Sequence, residues 1–141
     1  MRLALILVLC LGTISATAEE RSLEIDGSGK GAILCVHSLV ATAWALAQRC
    51  VPEKKTEIRN LAKSLRRLEE FEVANGWTRQ QAAGFTERQA RNSPPTQCNV
   101  LMSAEGGFLE ILILNFGAAK FQSGLDDILS VPRKPVWNPC L

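Results

Sequence analysis

Residues 31–47 read GAILCVHSLVATAWALA, and only His37, Ser38 and Thr42 interrupt the run of small and apolar side chains. Such a stretch is too long for a typical strand and leaves no face for water. It predicts a helix buried on all sides, the centre of an all-α fold. Ser28 precedes it as a candidate N-cap. The rival reading, a membrane span, needs about twenty apolar residues, and this run is shorter and carries polar groups.

On the N-terminal side, residues 1–18 (MRLALILVLCLGTISATA) carry one charge at Arg2, an apolar core from Leu3 to Leu11, and small residues at Ala16 and Ala18. That is the layout of a secretory signal peptide cleaved after Ala18. Residues 19–29 are polar, with Gly27 and Gly29 close together, and read as an N-terminal arm. Residues 30–141 are expected to form one helical domain with a single core. Its tail, 131–141, contains Pro132, Pro135 and Pro139 and is expected to be extended. Cleavage removes only Arg2 among charged residues, leaving fifteen basic against fourteen acidic side chains. That balance argues neither for nor against a polyanionic partner, and nucleic acid is not expected of an exported chain without interleaved aromatic and basic residues.

On the C-terminal side, Pro52 ends the apolar helix and can open the next. Ile58, Leu61, Leu65, Leu68 and Phe71 then recur at spacings of three and four, the pattern of an amphipathic helix, closed by Asn75-Gly76. Its cations, including Lys55, Arg59, Lys63 and Arg66, come first and Glu69, Glu70 and Glu72 come last. This order opposes the helix dipole, so the segment is not optimised for local stability. It reads as a surface shaped for a partner, with Lys55, Arg59, Lys63, Arg66 and, on the tail, Trp137 as candidate binding residues.

Residues 75–89 contain one small phrase twice, Trp77-Thr78-Arg79-Gln80-Gln81 and Phe85-Thr86-Glu87-Arg88-Gln89. In the first copy Thr78 and Gln81 have the spacing of a capping box, with Trp77 just outside to pack back on the first turn. The second copy follows Gly84; inside a continuing helix, Thr86 would cap nothing. The phrase resembles the LTxxQ motif of Spy-type periplasmic chaperones, which are small, exported and helical. Trp77 and Phe85 stand where that motif has leucine, two disulfides are not part of its pattern, and no family membership is drawn from it. Beyond the break at 92–96, Cys98 to Phe121 is largely apolar, interrupted at Gly106-Gly107. Ser123 and Asp126 form a second candidate capping box, opening a short helix to about Ser130. The whole reads as a four-to-five-helix bundle.

Cys10 leaves with the leader, and Cys35, Cys50, Cys98 and Cys140 remain, an even number suited to two disulfides in an exported domain. Fifteen helical steps at about 1.5 Å put Cys35 roughly 22 Å from Cys50. A disulfide needs Cα atoms within about 7 Å, so that pair is excluded. In an up-and-down bundle Cys50 and Cys98 fall at the same end, which favours Cys50–Cys98 with Cys35–Cys140. The spacings contain no CxxC, so no metal site is expected.

His37 is the only histidine, so any triad must use it, yet no carboxylate lies near it in sequence and it reads as a packing histidine. GSGKGA at 27–32 misses the spacing of a phosphate loop. Glu110 lies within an apolar segment where partial burial would raise its carboxyl, the way a lone acid on a helical scaffold could cleave cell-wall glycan. With no catalytic set complete, the expectation is an exported binding protein, periplasmic or secreted and without a cofactor. It would act on a protein partner as an inhibitor, immunity or adaptor module. The alternatives are a carrier of a lipid or other apolar ligand and, less favoured, a Glu110-dependent wall hydrolase. Spare apolar surface on a fourth helix would suit a homodimer.

Overall fold

The structure is a computed structural model, and it describes residues 24–93, 98–99 and 107–140; the expected signal peptide and its cleavage site lie outside them. Among the described residues there are five helices: α1 (Ile33–Cys50), α2 (Lys55–Ala74), α3 (Arg79–Asn92), α4 (Phe108–Gly117) and α5 (Ala119–Ile128). The chain is all-α, as its hydrophobic periodicity requires.

α1 is the central helix and packs against α2, α3 and α4. Ile33, Val36, Val40, Ala41, Ala43, Leu46 and Ala47 are buried and meet Leu61, Leu65 and Leu68 of α2, Ile113 of α4 and Leu125 of α5. By length and composition α1 could cross a membrane, but 61% of it is buried inside the bundle. The small residues Ala41, Ala43 and Ala47 make it slender enough for neighbours on several sides. Between α2 and α4 the approach is closest at Gly117, where a Cβ would stand 2.8 Å from that of Glu57. Asn60 Nδ2 donates to the Gly117 carbonyl at 2.7 Å across the same contact. There the chain turns at Ala118 (φ −70°, ψ 145°) and α5 begins. The expected start at Ser123 is therefore displaced: Ser123 lies inside α5, and its hydroxyl donates to the Lys120 carbonyl. A contact fifty-odd residues distant sets this boundary, and the local spacing of Ser123 and Asp126 does not.

α1 begins two residues later than its apolar run and takes no side-chain cap. Ser28 instead accepts from the Lys30 amide within the arm. The cap comes from the tail: the Ala32 and Leu34 amides donate to the carbonyls of Pro139 and Val136, each at 3.2 Å. Arm and tail run parallel there, bridged at Ile25 and Asn138. The Cys35–Cys140 disulfide fastens them (Cα–Cα 5.4 Å), and Cys50–Cys98 closes the second loop (5.3 Å).

Arg133 holds this end of the molecule. Its Nε donates to Asp26 Oδ2 at 2.6 Å, with the two side chains only 8% and 2% exposed. Its remaining nitrogens reach the carbonyls of Ile128, Val131 and Gly31, and the guanidinium lies 5.4 Å from the centre of the Phe71 ring. Burial pushes the Asp26 carboxyl up, but the hydroxyl and amide of Ser28 and the Arg133 guanidinium outweigh it, leaving the group below its ordinary 3.8.

Two outcomes are expected. Arg133→Met strands a buried carboxylate and should lower unfolding stability by about 3 kcal/mol in denaturant titration, with part recovered in Asp26→Asn/Arg133→Met. Because the Asp26 value is depressed on folding, its contribution is present above pH 3.8 and lost as pH falls through the lower folded value, so the double variant should have the flatter acid limb. Replacing Cys50 and Cys98 by serine, which opens a 48-residue separation, should cost about 4 kcal/mol by the chain-entropy estimate and lower the melting temperature accordingly.

Candidate functional site

The most concentrated chemistry lies where α1, α2 and α3 meet. His37 is fully buried. Its Nδ1 is 2.6 Å from Glu72 Oε1 and its Nε2 is 2.8 Å from Thr86 Oγ1. Thr86 Oγ1 in turn donates to Glu69 Oε1 at 2.5 Å. Each helix places its member by periodicity. Glu69 and Glu72 are three apart on the inner side of α2, and Thr86 follows the buried Ala82 and Phe85 of α3. The Phe85 ring stacks on His37 at 4.8 Å and gathers Trp77 (5.8 Å) and Trp137 (5.4 Å) around it.

Carboxylate, imidazole and hydroxyl in this order have the outline of a catalytic triad. The arrangement cannot use it: the hydroxyl already donates to Glu69, and Thr86, at 9% exposure, sits in mid-helix beside a fully buried ring. A nucleophile needs an approach for its substrate, and none reaches this one. His37 is thus a satisfied core histidine, with partners 35 and 49 residues away that no local pattern announces.

The repeated phrase now divides into two roles. In the first copy Thr78 and Gln81 form the expected capping box, the Gln81 amide donating to Thr78 Oγ1 at 3.1 Å and the Thr78 amide to Gln81 Oε1 at 2.7 Å. Trp77 packs on Phe85, two turns in, not on the first turn. In the second copy Thr86 caps nothing but joins the buried chain, and Gln89 accepts from Ser38 of α1 at 3.0 Å. The same four-residue spacing closes a helix end once and ties two helices together once.

Outside this centre, Lys55, Arg59, Lys63 and Arg66 are all exposed and follow one face of α2. Eleven residue steps give this stripe a length of roughly 16 Å. Neighbouring cations are neutralised: Lys54 by Glu110 at 3.5 Å, Arg67 by Asp126, and Lys30 by Asp127. Among the described residues the four stripe cations have no ion-pair partner; Arg59 only donates to Thr56 at 3.4 Å. A groove of about 410 Å³ with Gln48, Pro52 and Ile58 adjoins Lys55 and Arg59, and one of about 440 Å³ between α2 and α3 adjoins Arg66. No core residue of α1 lines either groove. Trp137, proposed as a binding residue from sequence, is instead half-buried against Phe85 and lies apart from the stripe.

Glu110 is exposed on α4 and paired with Lys54. The partial burial expected of Glu110 from the sequence is therefore not found. The apolar surface expected on the fourth helix is present at Ile111 (49% exposed) and Leu114 (45%). Among the described residues no group of three or more His, Cys, Asp or Glu could hold a metal ion.

The two threonines of the repeat should separate cleanly by stability. Thr78→Ala removes an exposed cap and should cost about 1 kcal/mol. Thr86→Val leaves the His37 N–H unpaired in the core and should cost about 2 to 3 kcal/mol, while Thr86→Ser, which keeps the hydroxyl, should cost less than Thr86→Val. Chemical denaturation of the three variants measures this order.

Compared with models of known protein families, with curated proteins and with solved structures, the chain has no match, so its function is read from its own geometry.

Proposed function

We propose that the chain is an exported, non-enzymatic binding protein of inhibitor, immunity or adaptor type that docks an acidic protein surface along the outer face of α2. The observation that carries this reading is the stripe of Lys55, Arg59, Lys63 and Arg66, four exposed cations on one face of α2 with no ion-pair partner among the described residues, where Lys30, Lys54, Arg67, Arg133 and Lys134 each have one. Four like charges along roughly 16 Å destabilise a helix on their own account and become favourable when a partner supplies carboxylates. The grooves at both ends give such a partner apolar purchase at Ile58 and Val73. Two disulfides suit the oxidising periplasm or the cell exterior, where the leader-like first residues would send the chain, and they keep the surface rigid before contact.

The oxidised protein, bearing an affinity tag and recovered from its producing cells without denaturation, tests this. The wild type is expected to retain a protein of acidic surface whose recovery falls as salt rises from about 50 to 300 mM, the range over which screening shortens. The variant with alanine at Lys55, Arg59, Lys63 and Arg66 is expected to lose it. Equal recovery by both forms overturns the proposed surface.

A further inference from the structure

α3 buries few side chains, Ala82, Phe85 and Thr86, and is otherwise tied by Gln89 to Ser38 and by the Ala90 and Ser93 carbonyls to Arg49, so the polar chain through Thr86 is its one buried polar attachment among the described residues. The hydrogens of that chain can be assigned. The hydroxyl of Thr86 has one, given to Glu69 Oε1, so Thr86 must accept from His37 Nε2–H. Nδ1 and Glu72 Oε1, at 2.6 Å, then need one proton between them, on the carboxyl or on the ring. Without it, either two lone pairs face each other in a site closed to water, or the ring hydrogen moves to Nδ1 and the Thr86 hydroxyl turns to Nε2 and gives up Glu69; one link of the chain is lost either way. The second oxygen of Glu72 is buried and has no hydrogen-bond partner among the described residues, so nothing else compensates a bare carboxylate.

We propose that Glu72, His37, Thr86 and Glu69 form a one-proton latch on α3, closed while a proton lies between Glu72 and His37 and released when it leaves, so that the α2–α3 groove changes shape with pH. Glu69 is both the last member of the chain and a wall of that groove, opposite Arg79. That groove also adjoins Arg66 of the stripe, but the latch rests on the buried chain alone and not on a partner docking on α2.

The charged groups around the latch are few. α1 offers no ionisable side chain but His37 and the distant Arg49, which is bound to the carbonyls of Ala90 and Ser93. α2 contributes Glu69 and Glu72, with Arg66 and Glu70 beside Glu69 in the lining of the groove. α3 contributes Arg79 and Arg88, the latter 6.0 Å from the Phe85 ring centre, and the tail presents Trp137. Burial raises the Glu72 carboxyl above its ordinary 4.5 against the opposing pull of His37. A value raised on folding gives a contribution fully present below pH 4.5 and lost as pH rises through the folded value, so release lies on the alkaline side.

Amide hydrogen exchange, corrected for intrinsic rates and followed from about pH 5 to pH 10, reads the latch directly. In the wild type the protection of Arg79–Asn92 is expected to fall by up to about tenfold per pH unit from the ordinary carboxyl value to the raised folded value, where one proton separates the closed and open states, and to level off beyond it, while that of Val40–Ala47 holds. Glu72→Gln, whose amide can donate to Nδ1 at every pH, should flatten the response. His37 is the sole histidine, so its ring gives one nuclear magnetic resonance signal, which should change over the same window. Protection of α3 that stays constant, that falls in step with α1, or that falls equally in Glu72→Gln overturns the proposal. If that variant does not fold, an imidazole signal unchanged across the window of α3 opening overturns it in the wild type alone.

Discussion

A buried imidazole hydrogen-bonded to a buried carboxyl can exist only if the surrounding helices are held in one rotational setting. A residue step turns a helix by about 100°, so rotating α2 by a single position would carry Glu72 away from His37 and expose Leu68. The contact at 2.6 Å therefore specifies the register of α2 against α1, and the Thr86 hydroxyl does the same for α3. Apolar packing alone tolerates such shifts, since leucines and alanines repack at modest loss. A polar chain does not, because every misaligned member leaves an unpaired group in a dry site. The network gives the bundle its uniqueness, and the aromatic cluster of Phe85, Trp77 and Trp137 supplies the apolar area that seals it.

The outer architecture follows from having the most deeply buried helix first in the folded chain. Once α1 is surrounded, its starting amides are buried too, and no side chain of the arm reaches them. The tail does so with its backbone, and Arg133 collects the carbonyls left over at the ends of α5 and the arm. The resulting division of labour leaves α2 with an outer face that is committed to neither packing nor ion pairing among the described residues.

What could be read from the residues was whatever their immediate neighbours determine. The all-round apolar run gave α1, the three-and-four spacing gave α2, helix length excluded Cys35–Cys50, and of the two pairings left an up-and-down bundle favoured the one found here. Thr78 and Gln81 were legible for the same reason, both partners lying on one turn. The buried chain was not, because His37 meets Glu72 and Thr86 only after three helices have assembled, and Glu72 in sequence looks like the end of an acidic surface run. Arg133, in a tail expected merely to be extended, gave no sign of its five contacts. The end of α4 at Gly117 answers to Glu57 on another helix, which local spacing cannot anticipate. The α2 stripe was legible as a charge pattern; that its members are left unneutralised could be known only from where their neighbours point.

The nested arrangement of the two disulfides also bears on the order in which the chain can be made. In a chain that emerges N-terminus first, Cys35 and Cys50 appear ahead of Cys98 and Cys140. Were the segment unstructured at that moment, those two would be free to pair, and an intramolecular trap would result. As the helix α1 it acts as a ruler that keeps them apart until Cys98 arrives to take Cys50. Cys140, the last thiol to appear, then finds Cys35 as its sole remaining mate. Correct pairing becomes a matter of timing, with the stiffness of one helix standing in for an external proofreader.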